Sequence, residues 1–260
     1  MVVVRETVKV EMVDEHVALV TMDNPPVNAQ NQRFHDDLTA VFDEISDTDE
    51  VRVAVLTGAG KCFSAGADIK ARTSGPRGPG EQWAHNRRAR ECFHSILECK
   101  KPVIAAINGP ALGAGLALAA SCDILFASEN ASLGLPEIDV GLMGGGRHTM
   151  RLFGHSRTRR MLLTADRVSG PEMYRLGVVE ACLPPDELLD GALDMARRIA
   201  AKSPVASRIA KHALNTIEEM SLRDGYRFEQ NMTSALGETE DSREAMLAFV
   251  EKRAPVFKGR

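Results

Sequence analysis

Lys101-Pro102-Val103-Ile104-Ala105-Ala106-Ile107-Asn108-Gly109-Pro110-Ala111-Leu112-Gly113-Ala114-Gly115-Leu116-Ala117-Leu118-Ala119-Ala120 is the stretch that decides the fold. Val103 to Asn108 is a short apolar run bounded by proline and glycine, the pattern of a strand. Gly109 to Gly115 gathers small residues into a turn, and an Ala-rich helix from Gly113 to Ala120 leads to a further strand, Asp123 to Ala127. Strand, turn and helix in close succession form the repeating unit of an α/β protein.

The same alternation extends outward on both sides. Val51 to Thr57 is β-branched and ends at Gly58, as a strand covered on both faces would, and a helix is expected from Trp83 to Cys99. Further upstream, Val8–Val13 and Val17–Met22 alternate around Asp14-Glu15 and predict a hairpin. Asp23-Asn24-Pro25-Pro26 stops the second strand, and Phe34, Leu38, Val41, Phe42 and Ile45 mark an amphipathic helix over 31–46. Downstream, helices recur after Gly146, a short strand is expected at Gly177-Val178-Val179, and Pro184-Pro185-Asp186 closes the mixed region. Helices then follow over 187–201, 204–220, 221–235 and 241–250. The division expected is an α/β core over 1–185 and a helical region over 186–260.

Composition narrows the class of function. The 260 residues are 44% apolar and 26% charged, which excludes a disordered or fibrous chain. With 32 basic against 36 acidic side chains the net charge is −4, so no broad positive field exists for nucleic acid. Arg87-Arg88-Arg90 and Arg157-Arg159-Arg160 are simpler as solvated helix faces. Five cysteines without ligand spacing point away from a disulfide scaffold or a metal site. The N-terminal segment has no apolar core like that of a secretory signal, and the longest apolar tract, 110–122, is too short to span a bilayer. A cytoplasmic location is expected, with no membrane partner.

Three segments could carry chemistry. Gly109 to Gly115 places small residues at a helix start, where unpaired N–H groups suit an anion or a developing oxyanion, although close packing also accounts for such a turn. Cys62 to Lys70 again sets small residues after a strand end, with Asp68 a catalyst or a helix cap. Glu137 follows Pro136 in a largely apolar stretch. Desolvation there would raise its pKa toward that of a general base or acid, and helix capping is the alternative.

In order and spacing these segments resemble the crotonase superfamily, the enoyl-CoA hydratase/isomerase family. The resemblance runs over Asn24-Pro25-Pro26-Val27-Asn28-Ala29, Phe63 to Lys70, Lys101 to Gly109, Pro136-Glu137 and Ala248 to Phe257. It implies a spiral of ββα units with a C-terminal helical trimerisation region, assembled as homotrimers or homohexamers. It also implies an acyl-CoA thioester substrate, with coenzyme A as part of the substrate and no separate cofactor or metal. The thioester oxygen would lie between the backbone N–H groups of Ala67 and Ala114. Ala65, Ala67, Asp68, Ile69 and Lys70, with Leu112, Gly113 and Lys258, would bind the CoA moiety.

One departure shapes the functional expectation. The resemblance assigns a first glutamate to the position of Ala117, and no carboxylate occurs from Gly109 to Ser121. Hydration needs proton handling at two carbons, whereas shifting a double bond from β,γ to α,β needs one carboxylate. Enoyl-CoA isomerase chemistry with Glu137 as sole acid–base residue is therefore expected. A hydratase or lyase with another group in place of the missing carboxylate, or a CoA-binding protein without catalysis, are the alternatives. Asp139, two residues past Glu137, would point away in an extended segment. His148 is either a titrating group or a satisfied histidine.

Overall fold

In the computed structural model, which describes residues 2–69 and 78–260, seven strands form the main sheet in the order β1-β2-β3-β5-β7-β9-β12. These are Val2–Val4, Val8–Asp14, Val17–Met22, Val53–Gly58, Val103–Ile107, Ile124–Ser128 and Ala181–Leu183. β1, β2 and β3 pair antiparallel, and the register from β3 onward is parallel throughout. The expected hairpin over 8–22 is present.

After each central strand the chain makes one very short strand outside the main sheet. β4 (Ala29–Gln30) pairs with β6 (Gly66–Ala67), and β8 (Pro110–Leu112) pairs with β10 (Ser132–Gly134), which pairs with β11 (Arg167–Ser169). A bridge between Ser64 and Ala111 joins the two small groups. Helices follow: α1 (Gln32–Asp47), α2 (Glu81–Leu97) and α3 (Ala114–Ser121). Strand, short strand and helix recur in turn, which is the ββα spiral that the resemblance implies.

Two-residue periodicity explains why the central strands are apolar on both faces. Ala54, Leu56, Ala105 and Ile107 point into one core with Phe34, Leu38 and Phe42 of α1 and Leu116 of α3. Val53, Val55, Ile104 and Ala106 point into a second core, closed by Leu188, Ala192, Leu193 and Ala196. Those residues belong to a helix beyond residue 186, so this part of the helical region completes the sheet. At 25 cal/mol per Å² of apolar area, each fully buried leucine or valine contributes on the order of 2 kcal/mol.

The intervening and C-terminal helices are α4 (Gly146–Leu152), α5 (His155–Thr164), α6 (Gly170–Arg175), α7 (Leu188–Ala200), α8 (Pro204–Ile217), α9 (Leu222–Gly237) and α10 (Glu240–Glu251). Buried Lys211 of α8 ties this region to the sheet, its ammonium donating to Ile96 O and Lys101 O and pairing with Asp123 at 2.8 Å. Gly177–Val179 is not a strand. Gly177, at φ +70°, donates to Tyr174 O and Val178 N donates to Met173 O, so these residues terminate α6. The strand comes later, at Ala181–Leu183. Among the described residues no helix is long and apolar enough to cross a membrane.

Candidate active site

The turn after β7 is held by a close fit of backbone against backbone. Leu112 N donates to Ser64 O at 2.9 Å, and Gly113 N to Gly134 O at 2.9 Å. Gly113, at φ +54°, precedes α3 with no capping side chain. A Cβ on Gly113 would collide with the Glu137 carboxylate, and one on Gly115 would collide with Ser64 O. Approach to backbone requires glycine at Gly115, and the left-handed dihedral calls for it at Gly113. Ala114 is the first residue of α3, where helical N–H groups have no partner within the helix.

The strand Gly66–Ala67 lies against this helix start. A Cβ on Gly66 would collide with Leu112 O and stand 3.2 Å from Ala114 N. Amides around Ala67 are tied down: Ala65 N to Val27 O at 3.0 Å, Gly66 N to Ser64 Oγ at 3.3 Å and Asp68 N to Gln30 O at 3.1 Å.

Between these pieces is a cavity of about 470 Å³. Ala65, Ala67, Ile69, Gly113, Ala114 and Glu137, all singled out from sequence, line it together with Ala117, Phe93 and Leu142. Leu112 stands in β8 behind the lining, and Asp68 lines an adjoining cavity with His85 and Arg88. Lys70 lies outside the described residues, as do residues 71–77. Lys258 does not join the site. Its backbone N donates to Asp241 and its ammonium is 3.6 Å from Glu240, in a separate cavity also lined by Arg243 and Glu244. A cavity of about 560 Å³ between α2 and α8 is larger, but Leu97, Cys99, Arg208 and Asn215 line it and no glycine turn opens into it.

One side chain differs from the sequence expectation. Pro136–Val140 is a 3₁₀ turn and not extended, so Asp139 is not opposite Glu137: it borders the same cavity from an exposed position. His148, on α4, also lines the cavity, its ring edge-on to Phe93 with centroids 5.2 Å apart. Burial, then the nearby Arg151, His94 and Arg147, lower the His148 pKa, so the ring is a neutral imidazole at physiological pH. Sequence reasoning missed His35, buried at the cavity's edge, and Gln30, buried beside it in the lining of the adjoining cavity. The available signal was a histidine on the apolar stripe of α1 at the spacing of Leu38 and Phe42.

The arrangement brings the backbone of Ala67 and Ala114 and the side chain of Glu137 to the wall of one cavity. Comparison with known proteins identifies the family. The family model described as enoyl-CoA hydratase/isomerase matches residues 13–260. The short-chain-enoyl-CoA hydratase of Clostridium acetobutylicum is 36% identical, covering 91% of this chain and 92% of its own. The 2,3-dehydroadipyl-CoA hydratase of Escherichia coli is 35% identical over 95% and 96%. The crystal structure of an enoyl-CoA hydratase from Bacillus anthracis superimposes with TM-score 0.92 at 33% identity, covering 98% of this chain and 100% of that one. The chain belongs to the enoyl-CoA hydratase/isomerase family, within the crotonase superfamily.

Proposed function

We propose that this member of the enoyl-CoA hydratase/isomerase family binds an acyl-CoA thioester with its carbonyl oxygen at the N–H groups of Ala67 and Ala114. Glu137 takes a proton from C2, and the electron pair moves onto the thioester oxygen as an enolate. With a β,γ-enoyl-CoA, returning the proton at C4 converts C3=C4 into C2=C3. Two preorganised amides stabilise the oxyanion, each contributing a factor of about 10²–10³ in rate. The observation that carries this reading is Glu137 packed against Gly113 in a cavity whose α3 wall offers Ala117 in place of a carboxylate.

A second reading is hydration, with His148 handling the proton that Ala117 cannot. It is supported by the hydratase names of the relatives and by His148 in the cavity lining. A panel of β,γ- and α,β-enoyl-CoAs followed by absorbance separates the two. Isomerisation creates the conjugated thioester chromophore and hydration removes it. Under the first reading His148→Phe keeps the double-bond shift and Glu137→Gln abolishes it. If chromophore is only consumed, and His148→Phe stops that, hydration is the activity.

The proposal extends to assembly and location. Leu222, Phe249 and Val250 on α9 and α10 are 91%, 85% and 77% exposed, which supports self-association as a trimer or hexamer, measurable by light scattering. The five cysteines are free thiols, which supports a reducing compartment such as the cytoplasm.

A further inference from the structure

Beneath the strand that carries Ala67 lies a run of buried polar side chains that the proposed proton transfer does not use. Ser64, Gln30 and His35 are 0%, 1% and 2% exposed. The Ser64 hydroxyl donates to Asn28 O at 2.7 Å and accepts from Gln30 Nε2 at 3.1 Å and from Gly66 N at 3.3 Å. That uses its single proton and both lone pairs. With the Gln30 amide so oriented, its Oε1 faces His35 Nε2 at 3.2 Å, and the imidazole must be the donor. Donation therefore runs from His35 to Gln30 to Ser64 and on to Asn28 O, and Gly66 N donates into the same Ser64 oxygen from the strand side.

Gln30 also holds this strand through its main chain. It is the register partner of Ala67, and its carbonyl accepts from Asp68 N. Gly66 and Asp68, the residues on either side of Ala67, thus depend on Gln30 through separate bonds, one relayed by Ser64 and one direct. Burial holds the His35 pKa down at about 4, with His85 and Arg88 of α2 adding to that and Asp36 opposing it. Its ring remains neutral, so Nε2 donates to Gln30 as a single-proton imidazole.

We propose that Gln30 and His35 are positioning residues, setting the direction of the Ala67 N–H toward the thioester oxygen. This rests on the assignment of Ala67 as an oxyanion donor. A misplacement of about 1 Å at such a donor is enough to cost ~10²-fold in rate.

The test compares His35→Gln, whose amide can place a donor where Nε2 stands, with His35→Asn, whose shorter amide cannot, alongside Gln30→Leu. The substrate is the best-used enoyl-CoA of the panel, and thermal unfolding and circular dichroism follow the fold. Expected are a 10- to 100-fold fall in kcat for His35→Asn and Gln30→Leu with KM within threefold of wild type, and recovery to within threefold in His35→Gln. Should Gln30→Leu fail to fold, the two His35 variants decide alone. Equal kcat in His35→Gln and His35→Asn, or losses that only track the folded fraction, overturn the proposal. Intact turnover in Glu137→Gln, or none by the wild-type protein across the panel, overturns the functional reading instead.

Discussion

Ala67 and Ala114 border one cavity, but opposite means hold them. On the Ala67 side, Ser64, Gln30 and His35 fasten the strand, and Asn28 Nδ2 donates to Ala59 O, Cys62 O and Phe63 O in the loop leading to it. On the Ala114 side no side chain caps the helix, and position comes from glycines pressed against backbone and carboxylate. The first side is set by hydrogen-bond direction and responds to polar substitutions and pH. The second is set by backbone hydrogen bonds and close approach, and responds to a single added methyl.

The largest expected effect falls where the two sides meet the reacting carbon. Glu137→Gln should lower turnover by ~10²–10⁴ while thioester binding persists, since an amide of equal size accepts no proton. Kinetics and calorimetric binding check this, and parallel loss of both would mean that the carboxylate serves structure. Next is Gly113→Ala, where the new methyl meets the Glu137 carboxylate at a dihedral that disfavours alanine. A fall of about 10²–10³ in kcat is expected, with melting temperature moving by a few degrees. A change under threefold would show that close approach does not govern this side.

Smaller effects probe the polar side. His35 titrates near 4 when folded, against 6.5 as a free side chain, so the unfolded chain binds its proton first as pH falls. The stability due to neutral His35 is complete above pH 6.5 and is lost progressively toward pH 4, by about 3 kcal/mol over the interval. Urea midpoints at pH 7 and 4.5 should show a steep drop in the wild-type protein and a shallower one in His35→Gln. Equal slopes would break the contrast between the two sides. Smallest is Asn28→Ala, which leaves carbonyls without their donor and should cost about 1–3 kcal/mol of unfolding free energy.

Much of this molecule is legible in its sequence because period and composition carry it. The strand at 53–58 and the helix at 32–47 follow from side-chain spacing, and the glycine turn at 109–115 from its lack of bulk. What escaped depends on partners distant in sequence. Gly177-Val178-Val179 looks like a strand until its amides are seen to end α6. Asp139 reaches the cavity edge because a 3₁₀ turn, and not an extended segment, follows Pro136. Lys258 meets acids of α10 through a fold-back that no local pattern announces. The relay through Gln30 and Ser64 joins residues 34 positions apart, beyond the reach of any periodicity.

The most direct test is hydrogen exchange at C2. A saturated acyl-CoA of the preferred chain length is incubated with the protein in D₂O, and deuterium at C2 is read by mass spectrometry. Wild-type protein should incorporate deuterium there and Glu137→Gln should not. Incorporation at the same rate in both, or none by a wild-type protein that is turning over its enoyl-CoA, would contradict the account.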